Sequence, residues 1–501
     1  MTDPIPEKKP MTKAERIAAR RANKPFRKTI KTIAKEKAKM PEQDPIIRAS
    51  NFEEVSLGYT ELLSNLEADR CLMCKKPLCI AGCPVNINIP AFIQKIVDKK
   101  YQDAYNIISE STLLPAICGR VCPQEDQCEG VCTTNKKLEA VGIGRLERWV
   151  GDMAIENDWE TAHKGEPNGL KIGVIGSGPA GLACAADMAK AGCDVTIYEA
   201  LHVTGGVLRY GIPEFRLPNS IVDAEIGKLE KLGVKIECNV LVGRLFTIEQ
   251  MRTEMGFDAV FIGTGAGYPR FMEIPGESLN GVLSANELLT RCNLMKAGDF
   301  PNENTPMHMG KKVAVIGSGN TAMDAMRVSL RLGADDVYCV YRRTEEESPA
   351  RLEEIHHAHE EGVQFRWLTN PLEILDDGEG NVRAMKCIKN ELGEPDDSGR
   401  RRPVAIEGSE YEMEVDMVVY AIGVNANPIM GQTTKGLELN QWGFIVVDDD
   451  LQTSLPGVFA GGDIVTGAAT VILAMGAGRS AAAGMMKFLG IAKEEEETVT
   501  V

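Results

Sequence analysis

The chain of 501 residues is 44% hydrophobic and carries a formal net charge of −16 at pH 7. This length exceeds that of a single hydrophobic core and indicates about three domains. No apolar run reaches the roughly 18 residues that a membrane-spanning helix requires, and the N-terminus lacks the apolar segment of a secretory signal. We therefore expect a cytoplasmic protein, in which clustered cysteines are metal ligands or redox groups rather than disulfides.

The first residues form a basic extension, which we place at 1–45. Residues 1–50 carry 14 Lys and Arg against 6 Asp and Glu, whereas the rest of the chain carries 42 against 66. A basic arm can bind nucleic acid, but this one lacks interleaved aromatic residues and belongs to an acidic protein. A solvated or subunit-contacting extension is therefore favoured, with no nucleic acid partner. Residues 492–501 form an acidic tail.

Eight of the 14 cysteines lie between Cys71 and Cys132, in a segment (46–165) that we predict to be mostly helical. Two tetrahedral zinc sites could use eight thiolates, but the Cys-Pro endings resemble the run of two-cluster ferredoxins, in which the cysteine before proline ligates the other cluster. Spacing alone then predicts two [4Fe-4S] clusters with ligands Cys71, Cys74, Cys79 and Cys132 for one, and Cys83, Cys118, Cys122 and Cys128 for the other.

A polar linker at 163–171 precedes a strand-like run and the first glycine fingerprint, GSGPAG, at 176–181. Gly176 permits the tight turn, Gly178 lets the backbone approach a pyrophosphate, and Gly181 permits close packing of helix on strand. The second strand ends in Glu199, which can accept hydrogen bonds from ribose hydroxyls. This pattern predicts a dinucleotide site, which we assign to FAD.

The second fingerprint, GSGNTA, begins at Gly317 and returns after about 140 residues. Its second strand ends in Arg342 and Arg343 rather than in an acid, and two guanidinium groups there suit the 2′-phosphate of NADP. Arg351 is a candidate third contact. Two such folds in one chain predict a tightly held flavin and an exchangeable nicotinamide cofactor.

The remaining half of the flavin fold is predicted at 455–482, where a strand ends in Gly462 and Asp463 and a helix starts near Ala469. Asp463 can bind the ribityl chain, and the helix N-terminus can face the flavin ring. The segments FIGTGA and YAIGVN are the expected connections between the two nucleotide folds. The fold class is thus α/β, with an NADPH domain inserted in a discontinuous FAD domain, after a helical iron–sulfur domain. The expected limits are 46–165 for the iron–sulfur domain, 166–302 and 425–491 for the FAD domain, and 303–424 for the NADPH domain.

Two other groups of residues receive unremarkable assignments. His356, His357 and His359 could form a metal site, but a solvated helix face is favoured. The six isolated cysteines are expected to be small core residues, and none forms a redox pair beside the flavin, which argues against a disulfide reductase.

Six segments together resemble the small subunit of NADPH-dependent glutamate synthase. The same module occurs in the large subunit of ferredoxin:NADP transhydrogenases and sulfide dehydrogenases, and in the N-terminal half of dihydropyrimidine dehydrogenase. The resemblance extends from about residue 40 to 490 and is carried by RCLMCKKPLCIAGCPV, LPAICGRVCPQEDQCEGVC, IGRLERW, GSGPAGL, GGVLRYGIPEFRLP and FAGGDIVTGAATVILAMGAGRSAA.

The resemblance changes one ligand and adds contacts. It implies that Glu147, rather than Cys118, completes the second cluster with Cys83, Cys122 and Cys128, although the alternative stays open. The FAD contacts that we predict are Ser177, Gly178, Pro179, Ala180, Gly181, Glu199, Gly206, Val207, Arg216, Val242, Gly462, Asp463, Ala469, Thr470 and Val471. The NADPH contacts that we predict are Gly317, Ser318, Gly319, Asn320, Thr321, Arg342, Arg343, Arg351, Ala421, Ile422 and Gly423.

The function implied is electron transfer from NADPH through FAD and two [4Fe-4S] clusters to a partner subunit, in an oligomer. The first hypothesis is the small subunit of glutamate synthase, working with an FMN-containing large subunit in glutamate biosynthesis. The second is the large subunit of a bifurcating ferredoxin:NADP transhydrogenase or a sulfide dehydrogenase, with a small ferredoxin-reductase-like subunit. A third, non-enzymatic hypothesis is an iron–sulfur scaffold that only senses NADPH, which the intact flavin half disfavours.

Overall fold

The computed structural model describes residues 28–159, 163–396 and 399–491. Its helices are α1 (Pro45–Arg48), α2 (Glu61–Ala68), α3 (Leu78–Ala81), α4 (Ile89–Val97), α5 (Tyr101–Ser109), α6 (Pro115–Val121), α7 (Ile143–Glu156), α8 (Pro179–Lys190), α9 (Val207–Tyr210), α10 (Asn219–Lys231), α11 (Ile248–Thr253), α12 (Ala285–Leu289), α13 (Asn320–Arg331), α14 (Leu352–Glu360), α15 (Ile429–Thr433), α16 (Asp463–Thr466) and α17 (Val471–Leu489). Short 3₁₀ turns occur at Gln124–Asp126, Thr133–Lys136, Ala297–Asp299 and Glu345–Glu347, and a π turn at Thr290–Leu294.

The strands are β1 (Lys171–Ile175), β2 (Asp194–Tyr198), β3 (Lys235–Glu237), β4 (Ala259–Ile262), β5 (Ala266–Pro269), β6 (Val282–Ser284), β7 (Lys312–Ile316), β8 (Asp336–Val340), β9 (Gln364–Arg366), β10 (Thr369–Asp376), β11 (Val382–Pro395), β12 (Arg401–Ala405), β13 (Tyr411–Glu414), β14 (Met417–Tyr420), β15 (Val424–Ala426) and β16 (Val458–Ala460). The described part has no helix that is both long and apolar enough to cross a membrane.

The cysteine-rich segment is helical, and no strand occurs in its described part before Lys171. Phe92, Ile93 and Ile96 lie on one buried face of α4, as their helical spacing predicts. The helical run ends at Val97 and resumes at Tyr101, because Lys99 adopts the left-handed conformation with φ 56°. Cys79 and Cys118 lie in the short helices α3 and α6, and the other six clustered cysteines lie in the loops between helices.

Two five-stranded parallel sheets follow the helical segment. The first has the strand order β16-β4-β1-β2-β3, so its last strand comes from the C-terminal part of the chain. The second has the order β6-β14-β7-β8-β9. Helices cover both sheets, and their strands are apolar because both faces are buried. This topology matches the predicted insertion of one nucleotide fold in the other.

The two connections between the sheets pair with each other. β5 and β15, which follow the glycine-rich ends of β4 and β14, form an antiparallel two-stranded sheet. We predict a domain boundary between residues 302 and 303, but β6 pairs in parallel with β14 in the second sheet. The second sheet therefore begins before that boundary. β6 has only three residues, so its sequence gives little sign of a strand.

The N-terminal extension is partly described, from residue 28 onward; residues 1–27 and the predicted acidic tail lie outside the described residues. Residues 34–57, here called the strap, bind to this chain's own domains rather than extending into solvent. The Ala38 amide donates to Glu67 in the helical domain at 2.7 Å. At the other end, the buried Arg48 side chain donates to Glu361, beside the second sheet, at 3.0 Å.

Candidate functional site

The first glycine loop lies at the carboxyl end of β1 and leads into α8. Gly176 has φ 99°, and a Cβ on Gly181 would lie 1.9 Å from the Gly176 carbonyl oxygen, so glycine is required at both positions. A Cβ on Gly178 would meet no atom within 4 Å. The loop is therefore closed toward the protein and open where a pyrophosphate would pass, with Pro179 and Ala180 starting the helix.

Glu199 lies at the carboxyl end of β2, as predicted. Its carboxylate accepts hydrogen bonds from the Ser177 amide at 2.9 Å, the Ser177 hydroxyl at 2.5 Å and the Leu201 amide at 2.9 Å. These bonds hold the buried carboxylate beside the loop. The position suits an acceptor for ribose hydroxyls.

Two buried oxygen atoms at the ends of neighbouring strands of the first sheet lack partners among the described residues: Thr264 Oγ1 after β4 and Asp463 Oδ1 after β16. Gly462 adopts φ 78°, which turns the chain so that Asp463 begins α16. Burial raises the pKa of Asp463 to about 6, against an opposing hydrogen bond from the Ala469 amide. Unpaired buried oxygens are costly, so they indicate a polar ligand that donates hydrogen bonds. A ribityl chain fits this requirement.

Helix α17 begins after Thr470, whose hydroxyl accepts a hydrogen bond from the Leu473 amide at 3.3 Å, with Val471 as the first helical residue. Opposite the glycine loop, a Cβ on Gly206 would lie 3.0 Å from the Gly178 Cα, so the chain at Gly206 and Val207 passes close over the loop. Val242 is buried in a hydrophobic core that includes Tyr198 of β2. Together these residues fit FAD.

Arg216 does not lie free to contact a flavin. Its guanidinium donates to Asp324 of α13 at 2.6 Å and pairs with Glu354 of α14 at 3.2 Å. The preceding ring, Phe215, lies under the guanidinium carbons of Arg327 and Arg331, 4.5 and 3.9 Å from its centroid. Arg216 therefore joins the two nucleotide folds through a buried ion pair. Its predicted contact with FAD stays a prediction.

The second glycine loop repeats the first at the carboxyl end of β7. Gly317 has φ 126°, and a Cβ there would lie 2.3 Å from the Ala421 carbonyl oxygen. The Ser318 and Ser348 hydroxyls are 2.7 Å apart. Gly319 and Gly423 have open surroundings. A Cβ on Gly319 would have only Pro349 within 4 Å, and a Cβ on Gly423 would have no atom within 4 Å. Asn320 and Thr321 start α13, and Ile422 lies beside Gly423, so the loop fits NADPH.

The three predicted arginine contacts lie in different places. Arg342 has an exposed side chain that makes no hydrogen bond or ion pair with described residues, so the guanidinium is available for a 2′-phosphate. Its backbone carbonyl accepts a hydrogen bond from the Asn390 side chain at 3.0 Å. Arg343 is buried and donates to the Arg401 carbonyl at 2.7 Å and to Asp396 at 2.6 Å. Arg351 is also buried and donates to the Arg120 carbonyl of the helical domain at 2.8 Å. The side chains of Arg343 and Arg351 are thus engaged within the protein, and their predicted contacts with NADPH stay predictions.

Four cysteines of the first predicted cluster line one small cavity. This outer site is defined by Cys71, Cys74, Cys79 and Cys132. Burial raises the pKa of Cys71 to about 11 and that of Cys79 to about 12, with a further contribution from the neighbouring thiols. Apolar side chains such as Ile89 and Ile93 complete the wall. A shared cavity lined by four sulfurs and apolar groups fits a cubane cluster.

The second predicted set, here called the inner site, comprises Cys83, Cys122, Cys128 and Glu147. Burial raises the pKa of Cys83 and Cys128, and the nearby Glu147 adds to the increase for both. Glu147 itself is buried, and one carboxylate oxygen has no partner among the described residues. Burial raises its pKa to about 8. A buried carboxyl group that lies near thiols and has an unpaired oxygen fits a cluster ligand.

Cys118 lies beside the inner site, next to Cys122. The Cys118 side chain is fully buried. A hydrogen bond from Cys122 to Cys118 is the largest cause that raises the pKa of Cys122, and burial is the second. The Cys118 sulfur also lies 3.8 Å from the Thr112 hydroxyl. In the described residues no group of His, Cys, Asp or Glu converges enough to hold a single metal ion. The zinc alternative requires such a group, with sulfurs about 2.3 Å from the ion.

The other predicted groups also have defined places. All 14 cysteines are unpaired thiols, and of the six isolated ones only Cys238 is partly exposed. We predict a solvated histidine face, but the three side chains differ in exposure. His357 is buried, with its Nε2 3.4 Å from Glu42 of the strap. His359 is exposed, and its ring stacks on that of Phe365 with 4.0 Å between the centroids. The strap covers His357, which the helix sequence alone does not indicate.

Sequence reasoning missed two functional candidates, Thr264 and Gln124. Thr264 lies in the FIGTGA segment, whose glycines indicate a strand end but not an unpaired hydroxyl. Gln124 lies between two cysteine ligands, and its side-chain oxygen accepts from Arg351 at 2.8 Å. Its position within the cysteine run was the available signal.

Comparison with known proteins gives the family of this chain. Residues 48–159 match the family described as dihydropyrimidine dehydrogenase domain II, 4Fe-4S cluster, and residues 170–478 match the pyridine nucleotide-disulphide oxidoreductase family. The chain is 36% identical over 459 residues to the glutamate synthase [NADPH] small chain of Escherichia coli (strain K12), covering 90% of this chain and 97% of that one. It is 39% identical over 436 residues to the NADP(+)-dependent formate dehydrogenase subunit beta of Moorella thermoacetica, covering 82% of this chain and 60% of that one. Mycobacterium tuberculosis FprA in complex with NADPH shares the fold, with a TM-score of 0.55, 23% identity and coverage of 66% and 86%.

The fold and the site define an oxidoreductase with a helical iron–sulfur domain and two dinucleotide-binding folds. This confirms the predicted α/β fold class and the predicted cofactors, FAD, NADPH and iron–sulfur. The chain belongs to the family of the glutamate synthase [NADPH] small chain, as the sequence motifs predict.

Proposed function

We propose that this chain carries electrons from NADPH, through FAD at the first glycine loop and [4Fe-4S] clusters at the inner and outer sites, to a partner subunit in the cytoplasm. The partner that we favour is the FMN-containing large subunit of a glutamate synthase, so that the assembly forms glutamate. When bound, FAD converts two-electron transfer from NADPH into single-electron transfer. The chain's own residues bind the cofactors, orient them and exclude water.

The observation that carries this proposal is the serial placement of the two cysteine sites. Cys122 of the inner site belongs to the hydrophobic core of the first sheet. Met475, one turn into α17, accepts a hydrogen bond from Thr112 at 3.2 Å, and Thr112 also contacts Cys118. Helix α17, whose N-terminus we assign to the flavin site, therefore contacts the segment that leads into α6, the helix just before Cys122.

The outer site lies nearer the surface than the inner site. Cys74, Cys79 and Cys132 are partly exposed, whereas the three cysteines of the inner site are buried. The large apolar side chains of Leu78 and Val131, next to two of these cysteines, are 49% and 42% exposed. An exit through the outer site to a docked protein is consistent with this gradient of exposure.

A second candidate is an NADP-dependent oxidoreductase with another acceptor, such as a bifurcating transhydrogenase or a sulfide dehydrogenase. The observation that favours it is the similar identity, 36% and 39%, to a glutamate synthase small chain and to a formate dehydrogenase subunit. The electron-entry half is common to these enzymes. The acceptor then depends on the partner.

The experiment that tests the proposal is anaerobic co-purification with the partner, followed by acceptor assays. We expect NADPH to bleach the flavin and, with the FMN-containing subunit, to support glutamate formation from glutamine and 2-oxoglutarate. Reduction of ferredoxin without glutamate formation would favour the second candidate. An unbleached flavin would leave only an NADPH-sensing scaffold.

A further inference from the structure

Arg351 lies between the second glycine loop and the cysteine loop of the helical domain. Its backbone amide donates to Asn320 Oδ1, at the start of α13, at 3.0 Å. Its guanidinium donates to the Arg120 carbonyl and to Gln124 Oε1, both at 2.8 Å. The side chain is 7% exposed. One residue thus contacts both a nucleotide-binding loop and the iron–sulfur domain.

Gln124 is tightly fixed at the other end of this connection. It lies between Cys122 and Cys128, and its amide donates to the Cys122 carbonyl at 2.9 Å. A Cβ on Gly144 would lie 2.2 Å from the Gln124 side-chain nitrogen. Gly144 belongs to α7, one turn before Glu147. The Gln124 side chain is therefore clamped between the inner-site loop and the helix that supplies its carboxylate.

Neighbouring contacts make the interface rigid. The Leu352 amide donates to Glu125 at 3.1 Å, and Arg145 Nη2 lies 3.4 Å from Glu353. Both pairs join the first turn of α14 to the helical domain. The first turn of α14 is thus joined to the helical domain directly after Arg351, whose amide donates to the start of α13.

We propose that Arg351 is a positioning residue that couples NADP(H) binding at the second glycine loop to the geometry of the inner-site loop, rather than a ligand of the 2′-phosphate. The inference rests on the proposed function, since it requires a nucleotide at the loop and a cluster at the inner site. Coupling between two sites is reciprocal. A bound nucleotide therefore alters the environment of the inner site, and the assembled inner site strengthens nucleotide binding.

The test compares R351Q, Q124M and the double variant with R342Q as a matched arginine control. For each anaerobic holoenzyme, NADP⁺ and NAD⁺ dissociation constants are measured by calorimetry. Electron paramagnetic resonance spectra of the reduced clusters are recorded with and without NADP⁺. We expect R351Q and Q124M to weaken both nucleotides equally, by about 5-fold or more, without additivity in the double variant. The NADP⁺-dependent spectral change should disappear in both, whereas R342Q should weaken NADP⁺ alone and keep the change.

Selective loss of NADP⁺ affinity in R351Q would overturn the proposal and return Arg351 to the 2′-phosphate. Unchanged affinities, additive losses or a retained spectral change would overturn it as well. Q124M, whose side chain is close in size to glutamine, carries the same test should R351Q fail to fold. Wild-type protein without clusters or NADPH reduction would instead refute the proposed function, so the two failures are distinguishable.

Discussion

Arg342 and Arg343 are adjacent but should have separable roles. Because the Arg342 side chain is exposed and makes no bonds with described residues, R342Q should change the free energy of unfolding by less than about 0.5 kcal/mol. A charged hydrogen bond to phosphate contributes about 1.5–3 kcal/mol, so NADPH should bind about 10- to 150-fold more weakly while NADH binding is unchanged.

R343Q should do the opposite. It removes the bonds to the Arg401 carbonyl and to Asp396, at 2.7 and 2.6 Å, and should lower the free energy of unfolding by about 1–3 kcal/mol. The preference for NADPH over NADH should remain. Thermal unfolding and nucleotide titrations of both variants measure the two effects. Loss of nucleotide preference in R343Q, with none in R342Q, would refute this division of roles.

Three further predictions concern the inner site, the flavin loop and the ion pairs. E147Q should remove about half of the bound iron while C118A keeps it, and iron analysis showing the reverse would assign Cys118 as the ligand. G178A should fold but lose FAD, because its added methyl enters open space, whereas G181A should not fold, because its methyl would lie 1.9 Å from a carbonyl oxygen; flavin counts and circular dichroism distinguish the two. Burial raises the pKa of Glu361, but its bonds to Arg327 and other arginines outweigh this and lower the pKa from 4.5 to about 2. Its contribution to stability should be complete above pH 4.5 and lost as the pH falls toward 2. An acid-unfolding curve that is the same for E361Q and the wild-type protein would contradict this.

The sequence predicted the fold where the backbone itself is constrained. Gly176, Gly181 and Gly317 occupy positions that exclude a side chain, so their motifs locate both loops and the helices that follow. The cysteine spacing likewise grouped the outer-site thiols that line one cavity. These features depend on short-range geometry, which a single sequence records.

The side chains whose partners the sequence did not predict depend mostly on contacts between domains. Arg342 and Arg343 lie at a bend after β8, where the first side chain is exposed and the second is buried among partners of its own. Arg216 and Arg351 are held by partners that lie 108 and 227 residues away in sequence. No local sequence pattern predicts such distant partners. The same holds for His357, which the strap covers.

The central claim is that electrons enter this protein as a pair from NADPH and leave singly through two iron–sulfur clusters. The most direct measurement is an anaerobic NADPH titration of the purified protein, followed by flavin absorbance and by electron paramagnetic resonance, with metal analysis of the same sample. Bleaching of one flavin per chain and signals from two reduced clusters are the result that we predict. A sample that contains zinc in place of iron, or whose flavin ignores NADPH, would contradict the claim.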